Sequence, residues 1–177
     1  MNYIQQAYKG LHDGWRYLLG TVIIIFFVFA GQIPFTIAAL LEAKNQGLNM
    51  FGLDESTLMG LLEPNLNLFL MLLSFAVGLL GLFFVNKFIH KLSITNLTTA
   101  RDKIDWKRFW LIFFGWGILS SSLVLLDYYM APEDYVWNFD LNNFLILALI
   151  AIALVPLQTS CEEYLFRGYL MQGIGVF

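Results

Sequence analysis

Charge is scarce in this sequence. Lys, Arg, Asp and Glu make up 13% of its 177 residues, where soluble domains carry about 25%. That scarcity, with 59% hydrophobic side chains, excludes water as the main solvent. No nucleic-acid partner is expected. Cysteine is rarer still: Cys161 stands alone, so no intramolecular disulfide and no thiolate metal cluster can form within one chain. Histidine is limited to His12 and His90, and no tract of low complexity or linker composition interrupts the chain.

Long apolar runs are what the sequence has instead. A bilayer core of ~30 Å takes roughly 20 apolar residues in a helix, and four runs of about that length occur, at about residues 17–41, 66–89, 109–126 and 141–172. The expected fold is all-α: a multi-pass transmembrane bundle of about four spans, forming one domain. The 17 Phe, 8 Tyr and 5 Trp suit helices that face lipid, with amphipathic rings at the headgroups. Pro34 falls where the first span would kink, and Pro156 predicts a kink in the fourth. Gly117 and Ser121, four apart in the third, are small enough to let a neighbouring backbone approach. Val28-Phe29-Ala30 imitates a signal-peptide cleavage site, but the apolar run continues to Leu41 and Asp13 weakens the positive flank, so the first run is read as a span.

The positive charges alternate between connections. Lys9 and Arg16 precede the first span, Lys44 alone lies in 42–65, six Lys and Arg lie in 87–108, and none lies in 127–140. The positive-inside rule then places the N-terminus and the 90s segment in the cytoplasm, with a bacterial inner membrane as the expected location. Segments 42–65 and 127–140, rich in Asp and Glu, fall outside. On this map the glycosylation pattern Asn96-Leu97-Thr98 faces the cytoplasm and is a chance match.

The fourth span runs inward and carries Glu162, Glu163 and Arg167 near its cytoplasmic end. A charge at mid-helix costs about 2.5 to 3.5 kcal/mol on insertion scales, less near an interface. The aliphatic run before the cluster, at about 0.3 to 0.6 kcal/mol per residue, can still carry the helix in. Glu163 and Arg167, at i and i+4, share a face and can pair. At 100° per residue Glu162 lies about 140° from Arg167, beside Phe166 and Tyr169. Its neutraliser is expected from another helix, a water or a substrate. Three charges at a span's end can simply snorkel to close the helix. Against that stands the unpaired Glu162, since a carboxylate in a poorly hydrated cavity is suited to act as a general base toward water. Cys161 beside the cluster has no histidine downstream to activate it and is read as a small buried thiol.

Glu162-Glu163-Tyr164-Leu165-Phe166-Arg167-Gly168 resembles the EExxxR signature, usually followed by Gly, of the CPBP intramembrane proteases, which include CAAX prenyl endopeptidases and bacterial Abi or bacteriocin self-immunity proteins. The resemblance implies an endopeptidase in which Glu162 activates the water that attacks a peptide bond, with Glu163 and Arg167 supporting it. The implied substrate is a membrane-embedded or membrane-anchored peptide within the lipid bilayer. The family's FxxxH motif and its later His with Asn or Asp do not occur before Phe177, so the sequence reads as the N-terminal part of such an enzyme, inactive by itself. His90 has Asn86 where FxxxH needs Phe, and His12 has Arg16 where Asn or Asp would stand. Both are expected to be interfacial or loop histidines. No cofactor is expected: two adjacent glutamates without histidine make a poor zinc site, which favours a metal-free mechanism without excluding metal use. The competing reading is a non-catalytic immunity or scaffold protein in which a structural Glu163 to Arg167 pair locks helices together. An ion-coupled transporter using Glu162 ranks last, because no repeat of broken helices is visible.

Overall fold

The computed structural model describes residues 3–48 and 54–176, and Phe177 lies outside them. Helix accounts for most of these residues, and no strand occurs among them. After a 3₁₀ segment, Ile4–Lys9, come α1 (Gly14–Asn45), α2 (Glu55–Leu61) and α3 (Pro64–Phe84), the last continuing as a π-helical turn over Val85–Ile89. Then follow α4 (Ile94–Thr98), α5 (Trp106–Met130), and α6 (Leu141–Glu163), which passes through a second π-helical stretch, Tyr164–Leu170, into α7 (Met171–Val176). Four of these helical stretches are long and apolar enough to cross a bilayer: Gly14–Asn45, Pro64–Ile89, Trp106–Met130 and Leu141–Val176. The chain is a multi-pass membrane protein.

Acidic caps start three of the spans. Glu63 accepts from the Leu66 amide at 2.9 Å ahead of Pro64, Asp105 from Arg108 at 3.2 Å, and Asp140 from Asn143 at 2.9 Å, each satisfying an amide that the helix cannot. Neither proline ends its helix. α1 continues through Pro34, and α6 remains α-helical past Pro156 to Glu163. The change of helix type in the fourth span comes at Tyr164.

The first and second spans meet along a seam of small residues. A Cβ on Gly31 would lie 2.7 Å from the Ser74 Cα, and one on Gly78 would lie 2.7 Å from a Val28 methyl, so only glycine permits this approach. α6 also packs on α3, with Cys161 buried beside the same Gly78 that meets Val28. The core at one end joins Ile24, Leu82, Val85, Leu97 and Tyr169.

The third span differs. No residue of α5 is buried, and nothing lies within 4 Å of a Cβ built on Gly117. The helix-packing role expected of Gly117 and Ser121 is therefore not observed among the described residues: the small-residue contacts lie in α1 and α3 instead.

The ends of the spans sort into two sets. Asn65 at the start of α3 donates to the Asn143 carbonyl at the start of α6, at 3.4 Å. At the opposite end the Tyr3 hydroxyl donates to the Leu97 carbonyl at 2.6 Å, and Gln172 donates to the carbonyls of Tyr3 at 3.4 Å and Asn96 at 3.1 Å. The N-terminal segment, the 90s connection and the charged end of the fourth span thus share one side of the protein.

Candidate functional site

The three charged residues straddle the point where α6 becomes π-helical. A π turn inserts extra backbone per turn and re-aims the side chains after it, which is why such turns recur at functional sites. Arg167 Nη1 lies 3.2 Å from Glu163 Oε2, forming the i, i+4 ion pair that the spacing predicts. Both partners are exposed, at 77% and 58% of their side-chain area. The pair lies within a single helix, so it does not by itself clamp two helices together.

Glu162 does not share in that pair. Its Oε1 accepts from Gln158 Nε2 at 3.4 Å, one turn back on the same helix, and its side chain is exposed. The uniform 100° step sets Glu162 beside Phe166 and Tyr169, and the structure corrects half of this. Phe166 is also exposed, whereas Tyr169, at 1% exposure, is turned into the bundle by the π-helical register.

A groove of about 460 Å³ opens where this stretch meets α4 and the N-terminal segment. Glu163, Arg167, Tyr164, Ser160 and Thr159 line one wall, and Thr98 and Tyr3 the other. Thr98 Oγ1 and the Tyr164 hydroxyl hydrogen bond across it at 2.8 Å. Glu162 is not part of this lining: the ion pair faces the groove and the second carboxylate faces outward. Cys161 is a free, buried thiol. Among the described residues no three His, Cys, Asp or Glu side chains come together as metal ligands would.

His90 lies in the connection just past the second span, as expected of a loop histidine, but it is buried there at 1% exposure, sealed between the N-terminal segment, α1 and the π-helical stretch of the fourth span. Its Nδ1 lies 2.7 Å from the Leu11 carbonyl, its Nε2 lies 3.1 Å from the Tyr169 hydroxyl, and its ring packs on Tyr17 with centroids 4.3 Å apart. Arg16 closes this end of the protein by donating to the Ile89 carbonyl at 3.1 Å while pairing with Asp13 at 2.7 Å. Burial pushes the pKa of His90 below the ordinary histidine value, with the charge of Arg16 acting the same way and the Leu11 bond opposing both. His12 is a loop histidine, with Nδ1 3.1 Å from the Gly10 carbonyl and its ring edge-on to Tyr8.

Sequence reasoning passed over this cluster because its members lie 79 and 73 residues apart along the chain. The one local signal was a histidine ending an apolar run, at Phe88-Ile89-His90.

No family model matches the chain. No solved structure matches it. It is similar to an uncharacterized protein, YyaK, of Bacillus subtilis (strain 168), with 28% identity over 176 residues, covering 99% of this chain and 58% of that protein. The chain thus spans less than two thirds of the length of this relative.

Proposed function

We propose that this chain carries the glutamate centre of an intramembrane endopeptidase, with Glu162 activating the water that attacks a peptide bond of a membrane-embedded or membrane-anchored substrate. The observation that carries the proposal is the division of the three charges. Arg167 is engaged by Glu163 at 3.2 Å, so the cluster has one carboxylate, Glu162, whose partner is the neutral Gln158. A carboxylate with no cation beside it is free to meet a water, while a paired one holds its neighbour in place. In this reading Glu163 and Arg167 set the geometry of the π-helical turn and Glu162 accepts the proton of the water. The resemblance of Glu162-Glu163 and Arg167-Gly168 to the CPBP signature supports the same assignment.

The protein is proposed to sit in a bacterial cell membrane with its N-terminus in the cytoplasm. Support comes from the six Lys and Arg of segment 87–108, which join the N-terminal segment and the charged cluster on one side of the protein. The cluster then works near the cytoplasmic leaflet.

The test is made in the cell that encodes the protein. Membrane-fraction peptides marking new chain termini are compared between cells with the unaltered gene, a deletion, and Glu162→Gln at matched protein level. Termini that vanish in both altered strains support the proposal; a set unchanged by Glu162→Gln rejects it.

A further inference from the structure

Every arginine of the chain is in an ion pair: Arg16 with Asp13, Arg101 and Arg108 with Asp105, and Arg167 with Glu163. Lys87 and Lys91 are not. Both are exposed, and among the described residues no carboxylate pairs with either. They line one groove of about 680 Å³ at the His90 end of the second span. Its wall toward the membrane is apolar, formed by Leu80, Phe84 and Phe88, which are 63%, 43% and 59% exposed. The Lys87 ammonium lies 5.6 Å from the centre of the Phe88 ring.

The backbone adds an independent observation. Lys91 is the one non-glycine residue among those described with a left-handed φ, at 54°. Lysine enters that region at a cost that glycine avoids, and such outliers persist where the surrounding structure needs the residue in place. Here the left-handed turn ends the π-helical stretch and brings Lys91 back into the groove that Lys87 lines.

We infer that this groove binds an anionic phospholipid, with Lys87 and Lys91 on the headgroup phosphate and an acyl chain along Leu80, Phe84 and Phe88. Two cations at the end of a span, above an exposed apolar wall, match a molecule that is negative at the interface and apolar below it. Basic pockets beside membrane helices take such headgroups. The inference stands on this groove alone and is independent of the endopeptidase reading.

The protein is reconstituted in nanodiscs of phosphatidylcholine containing a minority of phosphatidylglycerol, and retained lipid is counted by native mass spectrometry. At roughly fivefold per lysine near the surface, K87Q/K91Q is expected to weaken phosphatidylglycerol retention by about twenty-fivefold. K87R/K91R should restore it. Lys91→Gly, which suits the left-handed turn and removes the charge, should weaken retention while leaving the fold intact by thermal melting. K9Q/K103Q, which removes two exposed lysines from the same side of the protein, should change little. Retention unaffected by K87Q/K91Q overturns the inference, and so does an equal loss in K9Q/K103Q, which would mean a diffuse charge effect. Inorganic phosphate competing as well as phosphatidylglycerol would overturn it too, since the acyl chain would then contribute nothing.

Discussion

His90 and Tyr169 come from different spans and meet at 3.1 Å, Nε2 to hydroxyl oxygen. The Leu11 carbonyl, 2.7 Å from Nδ1, can only accept, so the ring must hold a hydrogen there. Neutral His90 therefore presents a bare Nε2, and the Tyr169 hydroxyl donates to it. The same hydroxyl lies 3.2 Å from the Tyr17 carbonyl and 3.5 Å from that of Arg16. It has one hydrogen, so it serves His90 or the first span but not both.

The first expectation concerns that hydrogen. ¹⁵N NMR of the imidazoles at pH 8, with His12→Gln removing the second histidine, should show His90 protonated on Nδ1 and bare on Nε2. A neutral Nε2–H form would mean that Tyr169 donates to the first span throughout.

Stability should depend on pH through the same residue. The pKa of His90 in the folded protein is lowered from 6.5, so the unfolded chain takes up a proton first as the solution is acidified. Its contribution is therefore complete above about pH 6.5 and declines as pH falls from there to the folded-state pKa. Melting curves in detergent between pH 8 and pH 5 should show that decline, and His90→Gln should reduce it.

Removing the Tyr169 hydroxyl leaves His90 Nε2 buried without its donor. Tyr169→Phe should destabilise the protein by about 1 to 3 kcal/mol, the cost of an orphaned buried polar group. Tyr129→Phe removes the hydroxyl of a residue that is 81% exposed on α5 and should change the melting temperature little.

Two glycines separate the packed spans from the unpacked one. Gly31→Val forces side-chain atoms into the Ser74 backbone and should cost about 1 to 3 kcal/mol or more, as overpacked sites do. Gly117→Val meets nothing within 4 Å among the described residues and should leave the melting temperature nearly unchanged. Equal losses at both positions would place an unseen neighbour against α5.

Activity and stability should part at the charged cluster. Arg167→Gln breaks a pair that is largely exposed, so folding should lose no more than about 0.5 kcal/mol. On the proposed reading Glu162→Gln lowers peptide cleavage by on the order of 10² to 10⁴, the size of a general-base contribution, with no loss of stability. A variant as active as the unaltered protein would remove Glu162 from the chemistry.

The spans were legible in the sequence because each is an uninterrupted apolar run, and a bilayer rewards length and hydropathy without regard to what lies elsewhere in the chain. The Glu163 to Arg167 pair was legible too, since i, i+4 proximity belongs to a single helix and survives at the start of the π-helical stretch. Side-chain direction beyond Arg167 was not, because periodicity assumes one step per residue and the backbone changes that step at Tyr164.

Tertiary structure alone decided which small residues pack. Gly31 and Gly78 meet neighbours while Gly117 does not, though nothing local distinguishes them. It also decided that His90 is buried. That burial depends on Leu11, Tyr17 and Tyr169 arriving from distant parts of the chain, and a polar ring is worth sealing only where such partners satisfy both of its nitrogens. The sequence by itself determined the membrane, the helices and the local charge pair, all of which follow from short-range chemistry. The partners of His90, the groove at Lys91 and the outward aim of Glu162 were left to the way the spans assemble.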